Sequence, residues 1–399
     1  MEKIEFSKFT SFGNNFVVVD ETQRLQLHEN EKSPFSCQVA NVNFGVGADG
    51  VLFLQPYRSD VLAEINTIRH YWDELPLYSH LDVIFRIFEP NGVESFSCGN
   101  GLMCLANYLN RKYRVESTRI LTQIPTRQPK VITIGTDSLN ARNWVNLGSP
   151  GRIPRDVVSP IDITPLDDDI DTINDISITF REGDLHPFSN RTSLKLNGFL
   201  VYTGEPHLVI FPETGFSISE LQKFFFISSH QTTSAINSQE RRIRFGSWLI
   251  DHIGMQLNKQ YPHIFPNGIN VNFVNIPAKN NAIEYRCFER GINKETLACG
   301  TGALASSFVS QRLGLTKEGQ VSVWPHRCRW YDPKALILVD QNKQQWSLYG
   351  KPAMLLDGIF IVDKVLARRL AALEAENIIL DHGHQLEHEN IHHLANANH

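Results

Sequence analysis

Residues 96–104 read FSCGNGLMC, and residues 297–305 read LACGTGALA. Each stretch places a cysteine directly before Gly-x-Gly, with a helix-compatible run behind it. Glycine at such a turn lets several backbone N–H groups converge in a tight concavity. Where a helix begins, its first amides lack intrahelical partners, so the loop suits an anion such as a carboxylate. The same location favours thiolate over thiol and lowers a cysteine from its usual pKa of about 8.5. Cys98 and Cys299 are therefore candidate acid–base groups, and Gly99, Asn100, Gly101, Gly300 and Thr301 candidate anion donors. Either loop alone reads equally well as a structural turn beside a small buried cysteine. Two copies in a duplicated plan favour chemistry.

Outward from the first loop, IEFSKF and NNFVVVD read as strands joined by a turn at Phe12-Gly13-Asn14. VNFGVGADGVLFL is a glycine-rich loop leading into a strand, and residues 59–80 read as a surface excursion. DVIFRIF is a strand that runs through EPNGVESF into the first cysteine loop. Behind the loop, Leu102, Leu105, Ala106 and Leu109 share one face, which predicts a buried helix. TRILTQI, KVITIGT and NWVNLG return to strand character, and the proline- and aspartate-rich residues 150–172 read as a crossover. The second half follows a similar plan. GFLVYTGEPHLVIF, GINVNFVNI and AIEYRCFERG lead to the second loop and its helix, and VSVWP, ALILVD and QWSLYG follow. Further echoes pair VNLGSPG (145–151) with VYTGEPH (201–207), and GNNFVVVD (13–20) with GINVNFVNI (268–276).

The expected architecture is α/β with two similar domains, residues 1–152 and 153–362, the second carrying the crossover insertion. The two domains are expected to face each other with the cysteines at a shared cleft. Residues 363–399 would add an amphipathic helix over 364–380 and a tail with histidines at 382, 384, 388, 392, 393 and 399, read as a polar tail rather than a metal site.

The composition narrows the function classes. Of 399 residues, 42% are hydrophobic and 20% charged, values of a globular chain. A net charge of −5 advertises neither nucleic acid nor an acidic membrane surface. The longest apolar runs fall short of a membrane span, and MEKIEFSKF lacks an apolar signal core. A cytoplasmic protein is expected, and a homodimer is compatible with it. The six cysteines, at 37, 98, 104, 287, 299 and 328, include no CxxC pair, so a zinc knuckle is not expected and reduced thiols are the default. Cys104 reads as core. Cys37, Cys287 and Cys328 have no comparable loop, and Cys287 lies in an alternating strand segment where it would pack. GVGADG lacks the full dinucleotide fingerprint, so no cofactor is called for. Two opposed thiols suggest that one sulfur removes a proton from carbon while the other donates one to the opposite face, inverting the centre. Redox exchange is the other two-cysteine reaction, although its sulfurs usually share one short motif.

With these segments in order, the chain resembles diaminopimelate epimerase and its relatives, the cofactor-independent amino-acid racemases. FSKFTSFGNNFVVVD resembles the family's opening, VNFGVGADGVL its early glycine-rich stretch, and IFEPNGVESFSCGNG its first catalytic segment. GEPH, NVNFV and FERGINKETLACGTGA resemble the later ones, so the likeness spans roughly residues 4 to 360, with insertions near 57–80 and 155–195. The resemblance implies two pseudo-symmetric α/β domains, each a barrel-like sheet around a central helix. It implies Cys98 and Cys299 as the base and acid pair, with neither pyridoxal phosphate nor metal. Asn14, Asn270, Glu289 and Arg290 fall on its substrate-binding positions, and His207 on its histidine beside the cleft. Glu289 is a sensible ammonium partner and Arg290 a carboxylate clamp; without the family, the two could equally be a surface pair.

Two positions depart from the pattern. Glu89 stands in FEPNG where the family has Asn, and Glu205 in GEPH where it has Asn. Those asparagines help hold the distal end of diaminopimelate in the family. A carboxylate there would repel a distal carboxylate and welcome a cation. The expected substrate is accordingly a basic amino acid such as histidine, lysine, ornithine or arginine. The alternatives are diaminopimelate itself, with Arg290 holding the distal carboxylate, and a non-catalytic amino-acid-binding protein of the same fold.

Overall fold

Phe12 and Gly13, with φ of 51° and 89°, make a two-residue turn in the left-handed region, the backbone that matches the twist of a tight antiparallel hairpin. It joins β1 (Glu2–Ser11) to β2 (Asn14–Asp20), with Ser11 opposite Asn14. The computed structural model describes the chain except for residues 1, 156, 160, 187, 188, 217–220, 222, 223, 227–235, 278–280, 343, 344 and 377–399. The histidine tail therefore lies outside the described residues, as does the end of the expected last helix, which is described over 364–376.

The chain separates into two compact units. One runs to Thr133 and resumes at Ala353; the other is Ile134–Pro352. This corrects the expected boundaries at 152 and 362, and strand pairing gives the reason. The strand Ala353–Val362 pairs along β1 from Glu2 to Thr10, so it belongs to the first unit. The strand Arg142–Gly148 pairs with Gln345–Gly350, so it belongs to the second.

In the first unit the remaining strands are β3 (Gly50–Pro56), β4 (Val83–Phe88), β5 (Glu94–Ser95) and β6 (Ser117–Thr122). β2 pairs parallel with β3, β3 antiparallel with β4, and β4 parallel with β6, while β5 folds back on β4. β7 is Lys130–Asp137 and β8 Arg142–Gly148. In the second unit β9 (Ile163–Pro165), β10 (Asp171–Thr179) and β11 (Ser193–Tyr202) lead into β12 (Pro206–Ile210). β13 (Asn270–Asn275), β14 (Ala282–Glu289), β15 (Lys294–Thr296) and β16 (Val321–Pro325) follow, then β17 (Ile337–Asn342) and β18 (Gln345–Gly350). β11–β12 is antiparallel, β12–β13 parallel, β13–β14 antiparallel and β14–β16 parallel, with β15 folded on β14. The pairings from β11 to β16 thus repeat those from β1 to β6.

That repeat corrects one echo read from the sequence. GNNFVVVD forms β2, whose counterpart is β12, not the strand of GINVNFVNI, which is β13 and answers to β3. Likewise VNLGSPG lies on β8 and its exit, outside the repeated hairpin.

Each unit buries one cysteine helix, Gly99–Tyr113 in the first and Gly300–Arg312 in the second. The first unit adds two helices that were not expected. Glu29–Ala40 buries Phe35, Val39 and Ala40 with Val17, Val51 and Phe53. Ser59–Arg69, inside the supposed excursion, packs Leu62 and Ile65 against Trp72, Ile84 and Leu121. The second unit adds Ile236–Gln260, whose Leu249, Ile250, Ile253 and Leu257 fill a core with Ile178, Leu208, Phe273 and Phe288. Part of the proline-rich crossover also pairs, as β9 on β10. No helix among the described residues is long and apolar enough to cross a membrane.

Candidate active site

Both cysteine helices start in the same way. Cys98 and Cys299 are the N-caps, in extended conformation, and each sulfur accepts the N–H of the residue three further on. Gly101 N lies 3.4 Å from Cys98 Sγ, and Gly302 N lies 3.4 Å from Cys299 Sγ. A side-chain acceptor at this place satisfies one orphan amide, the role usually filled by Ser or Asp. The sulfurs also sit at the positive end of a helix dipole. Gly101, expected as an anion donor, therefore points its amide at its own cysteine. Gly99 and Asn100, and Gly300 and Thr301, supply the two preceding amides of each helix.

Glycine at the third helical position is required by a close approach. A Cβ on Gly302 would stand 2.4 Å from Asn272 Oδ1, and one on Gly101 3.2 Å from a methyl of Leu52. Leu52 and Asn272 occupy equivalent places on β3 and β13, opposite Val18 and Val209. The strand register also makes Phe16 the counterpart of His207. The floor under the first helix start is thus apolar, and under the second polar. His207 is completely buried, and its Nδ1 lies 2.9 Å from Asn272 Nδ2. Burial, helped by the Arg290 charge, pushes its pKa down to about 3, so the ring is neutral with its hydrogen on Nε2. Neither His207 Nε2 nor Asn272 Oδ1 has a hydrogen-bond partner among the described residues.

A β-hairpin feeds each cysteine, and each hairpin is held by an ionic clamp of the same kind. Arg86 on β4 is fully buried and donates to Glu94 on β5 and to Glu29, with Nη1 2.5 Å from Glu29 Oε2. Arg286 on β14 donates to Glu295 on β15 at 2.5 and 2.7 Å, and to the carbonyl of Phe225. One position further along each hairpin, a hydroxyl meets a carboxylate: Ser95 donates to Glu89, and Thr296 to Glu289. Glu89 and Glu289 are therefore counterparts at the ends of equivalent strands. In the second unit Tyr285 adds a further hold: its hydroxyl accepts from Cys299 N and donates to Cys299 O, both at 2.9 Å. Phe85 takes its place in the first.

The other expected site residues divide between the units. In the first, Asn14 Oδ1 accepts from Asn100 Nδ2 at 2.7 Å, which ties the β1–β2 turn to the helix start. In the second, Asn270 Oδ1 accepts the Arg290 backbone N–H at 3.0 Å. Arg290 donates to Glu205 Oε2 at 2.5 Å and to Asn267 O at 2.7 Å. Glu205, read as a welcome for a cationic side chain, already holds the cation of Arg290, and Arg290 in turn is held by a carboxylate. Around Cys299 the structure brings together Glu289, Thr301, whose hydroxyl is 3.3 Å from the sulfur, and Cys287.

Sequence reasoning missed Cys287, Tyr285, Asn272, Ser95, Thr296 and the two Arg–Glu clamps. One signal was available: Arg-x-Phe-Glu precedes Glu-Ser/Thr-x-x-Cys-Gly-x-Gly in both halves. Cys104, read as core, is fully buried with its thiol pushed well up by burial, and Cys37 and Cys328 are pushed up to about 11 by the same cause.

Comparison with known proteins gives two results. The chain is 31% identical over 324 residues to a diaminopimelate epimerase of Methanothrix thermoacetophila, covering 80% of this chain and 85% of that one. It is 28% identical over 319 residues to a diaminopimelate epimerase of Archaeoglobus fulgidus, covering 79% and 84%. No family model matches. Among solved structures, the chain is similar in fold to a hydroxyproline epimerase from Agrobacterium vitis with bound trans-4-hydroxy-L-proline, with a TM-score of 0.53 and 12% identity over 92% of this chain and 95% of that one. A probable proline racemase from Agrobacterium radiobacter K84 gives a TM-score of 0.51 and 14% identity, covering 90% and 93%.

Proposed function

The chain belongs to the diaminopimelate epimerase family of cofactor-independent isomerases, and on that premise we propose that it inverts the α-carbon of an amino acid with Cys98 and Cys299 as the base and acid. The observation that carries this reading is the shared N-cap geometry: two sulfurs, one per unit, each bonded at 3.4 Å by the third amide of its own helix. Each sulfur can carry charge against a helix N-terminus in one half of the reaction and a proton in the other. The leading amides at Gly99, Asn100, Gly300 and Thr301 suit the substrate's α-carboxylate. Glu289, steadied by Thr296, suits its ammonium group. The two units correspond, on this reading, to the pseudo-symmetric barrel-like halves of the family's architecture.

The substrate reading favours diaminopimelate over a simple basic amino acid. The curated relatives carry that name, and the Glu205–Arg290 pair at 2.5 Å neutralises the carboxylate on which a cationic side chain would depend. A neutral ion pair also tolerates a distal group that bears both an amine and a carboxylate. Glu89 keeps the second reading alive, since its carboxylate is engaged by a hydroxyl rather than a cation. The test is a comparison of kcat/KM for LL-diaminopimelate against histidine, lysine, ornithine and arginine, without pyridoxal phosphate, read by chiral chromatography. Preference for diaminopimelate by tenfold or more is expected. Preference for a basic amino acid by that margin would overturn the substrate assignment and leave the thiol mechanism standing.

A further inference from the structure

Cys287 is given no role in the inversion proposed above, yet it is hydrogen-bonded to Cys299, which is given one. The sulfurs of Cys287 and Cys299 and a carboxylate oxygen of Glu289 all lie within 4.8 Å of one another. The fold explains how they meet. Cys287 and Glu289 are two apart on β14, so their side chains leave the same face of the strand. Cys287 pairs with Thr296, three residues before Cys299, and the hairpin thereby delivers the helix start to the same place. The Arg286–Glu295 clamp holds the hairpin from its other face, and the Thr296 hydroxyl holds the Glu289 carboxylate from beside it.

We propose that Cys287, Cys299 and Glu289 form a binding site for a thiophilic divalent cation of the zinc class, and that occupancy silences the enzyme by sequestering the Cys299 sulfur. The silencing clause rests on the catalytic role given to Cys299 above; the site itself does not. Zinc bonds sulfur at about 2.3 Å and carboxylate oxygen at about 2.0–2.2 Å, so a tetrahedral ion holds two sulfurs roughly 3.8 Å apart. The three donor atoms, all within 4.8 Å of one another, are already near that spacing. On binding, each thiol releases its proton to water, two metal–sulfur bonds and one metal–oxygen bond form, and one position stays open to solvent. Two sulfurs with one carboxylate select zinc or cadmium over magnesium or calcium, which want oxygen alone.

The duplicated fold supplies an internal contrast. At the place of Cys287 the first unit carries Ile87, between the equivalent Arg86 and Phe88 and opposite Ser95. The same hairpin, helix start and carboxylate are there, but the second sulfur is missing. Cys287 is 1% exposed and Cys299 8%, so the sulfurs are secluded and Glu289 is the more open donor.

Cadmium is the probe, because a cadmium–thiolate bond absorbs in the ultraviolet and cadmium–imidazole does not, which excludes the histidine tail as the source of signal. Reduced full-length protein titrated with Cd²⁺ should develop that band with one ion per chain, and activity should fall in step. Cys287→Val, which copies the branched apolar side chain of the first unit, and Cys287→Ala should bind Cd²⁺ at least tenfold more weakly, and the activity each keeps without metal should resist Cd²⁺ at concentrations that silence the wild type. No band, or a band unchanged in both Cys287 variants, overturns the site. A Cys287-dependent band with undiminished activity upholds the site and instead overturns the catalytic role of Cys299.

Discussion

A thiol placed as the N-cap of a buried helix does different work from one placed a turn and a half along it, and three cysteines allow the comparison. On the proposed mechanism Cys98→Ala and Cys299→Ala remove the proton carriers, so each should lower kcat by about 10³-fold or more while the protein stays folded. Cys104→Ala removes a fully buried sulfur that the proposed mechanism does not use, so it should cost about 1–2 kcal/mol in urea unfolding and leave kcat near wild type. His207 offers a second test at this scale. Its folded pKa of about 3 lies below the 6.5 of an exposed imidazole. Below 6.5 the unfolded chain takes up a proton that the folded chain refuses, so this group's penalty is absent above that pH and grows as the pH falls towards 3. The slope is at most about 1.4 kcal/mol per pH unit. In urea melts from pH 7 to pH 5, His207→Gln should lose stability less steeply than wild type; parallel slopes would show that the buried ring does not set the acid response.

Helix starts and hairpins carry the site as units. Gly302→Ala forces a Cβ to within 2.4 Å of Asn272 Oδ1, whereas Gly101→Ala meets a methyl of Leu52 at 3.2 Å. The first should cost about 2–3 kcal/mol and disturb kcat, and the second less, because a leucine methyl gives way more readily than a buried amide bonded to His207. Arg86→Met would leave Glu94 without its buried cation and Glu29 with Arg69 alone, a loss of about 3 kcal/mol measurable by urea midpoint. These elements also show what could be read from the chain. The Cys-Gly-x-Gly loops and the Phe12–Gly13 turn carry their own backbone chemistry, so both were legible. The helix Glu29–Ala40 was not: it contains Pro34 and buries Lys32, Ser36 and Gln38 beside Phe35 and Val39, which blurs the apolar period. The helix Ile236–Gln260 shows its apolar stripe only in its second half, after the polar run SQERRIR. Repeat register failed because GNNF and GINV are alike as strings, while parallel pairing of β2 with β3 and β12 with β13 decides which strand answers to which. The Glu205–Arg290 pair joins residues 85 apart, and no local pattern announces a partner at that distance.

For the molecule as a whole, the repeated strand pairing carries some matched residues and some different ones. Both units keep a cysteine N-cap, an Arg–Glu clamp and a carboxylate steadied by a hydroxyl. Only the second replaces Phe16, Leu52, Phe85 and Ile87 with His207, Asn272, Tyr285 and Cys287. On the proposed mechanism both Cys98 and Cys299 are needed, so neither alone should invert a centre. The most direct measurement of that claim is mass-resolved chiral analysis of LL-diaminopimelate incubated with reduced enzyme in deuterated water, without added cofactor. Wild type should return the inverted centre carrying one solvent deuterium at the α-carbon, and Cys98→Ala and Cys299→Ala should each return substrate uninverted. Inversion at the wild-type rate in the Cys98→Ala, Cys299→Ala double variant would contradict the account.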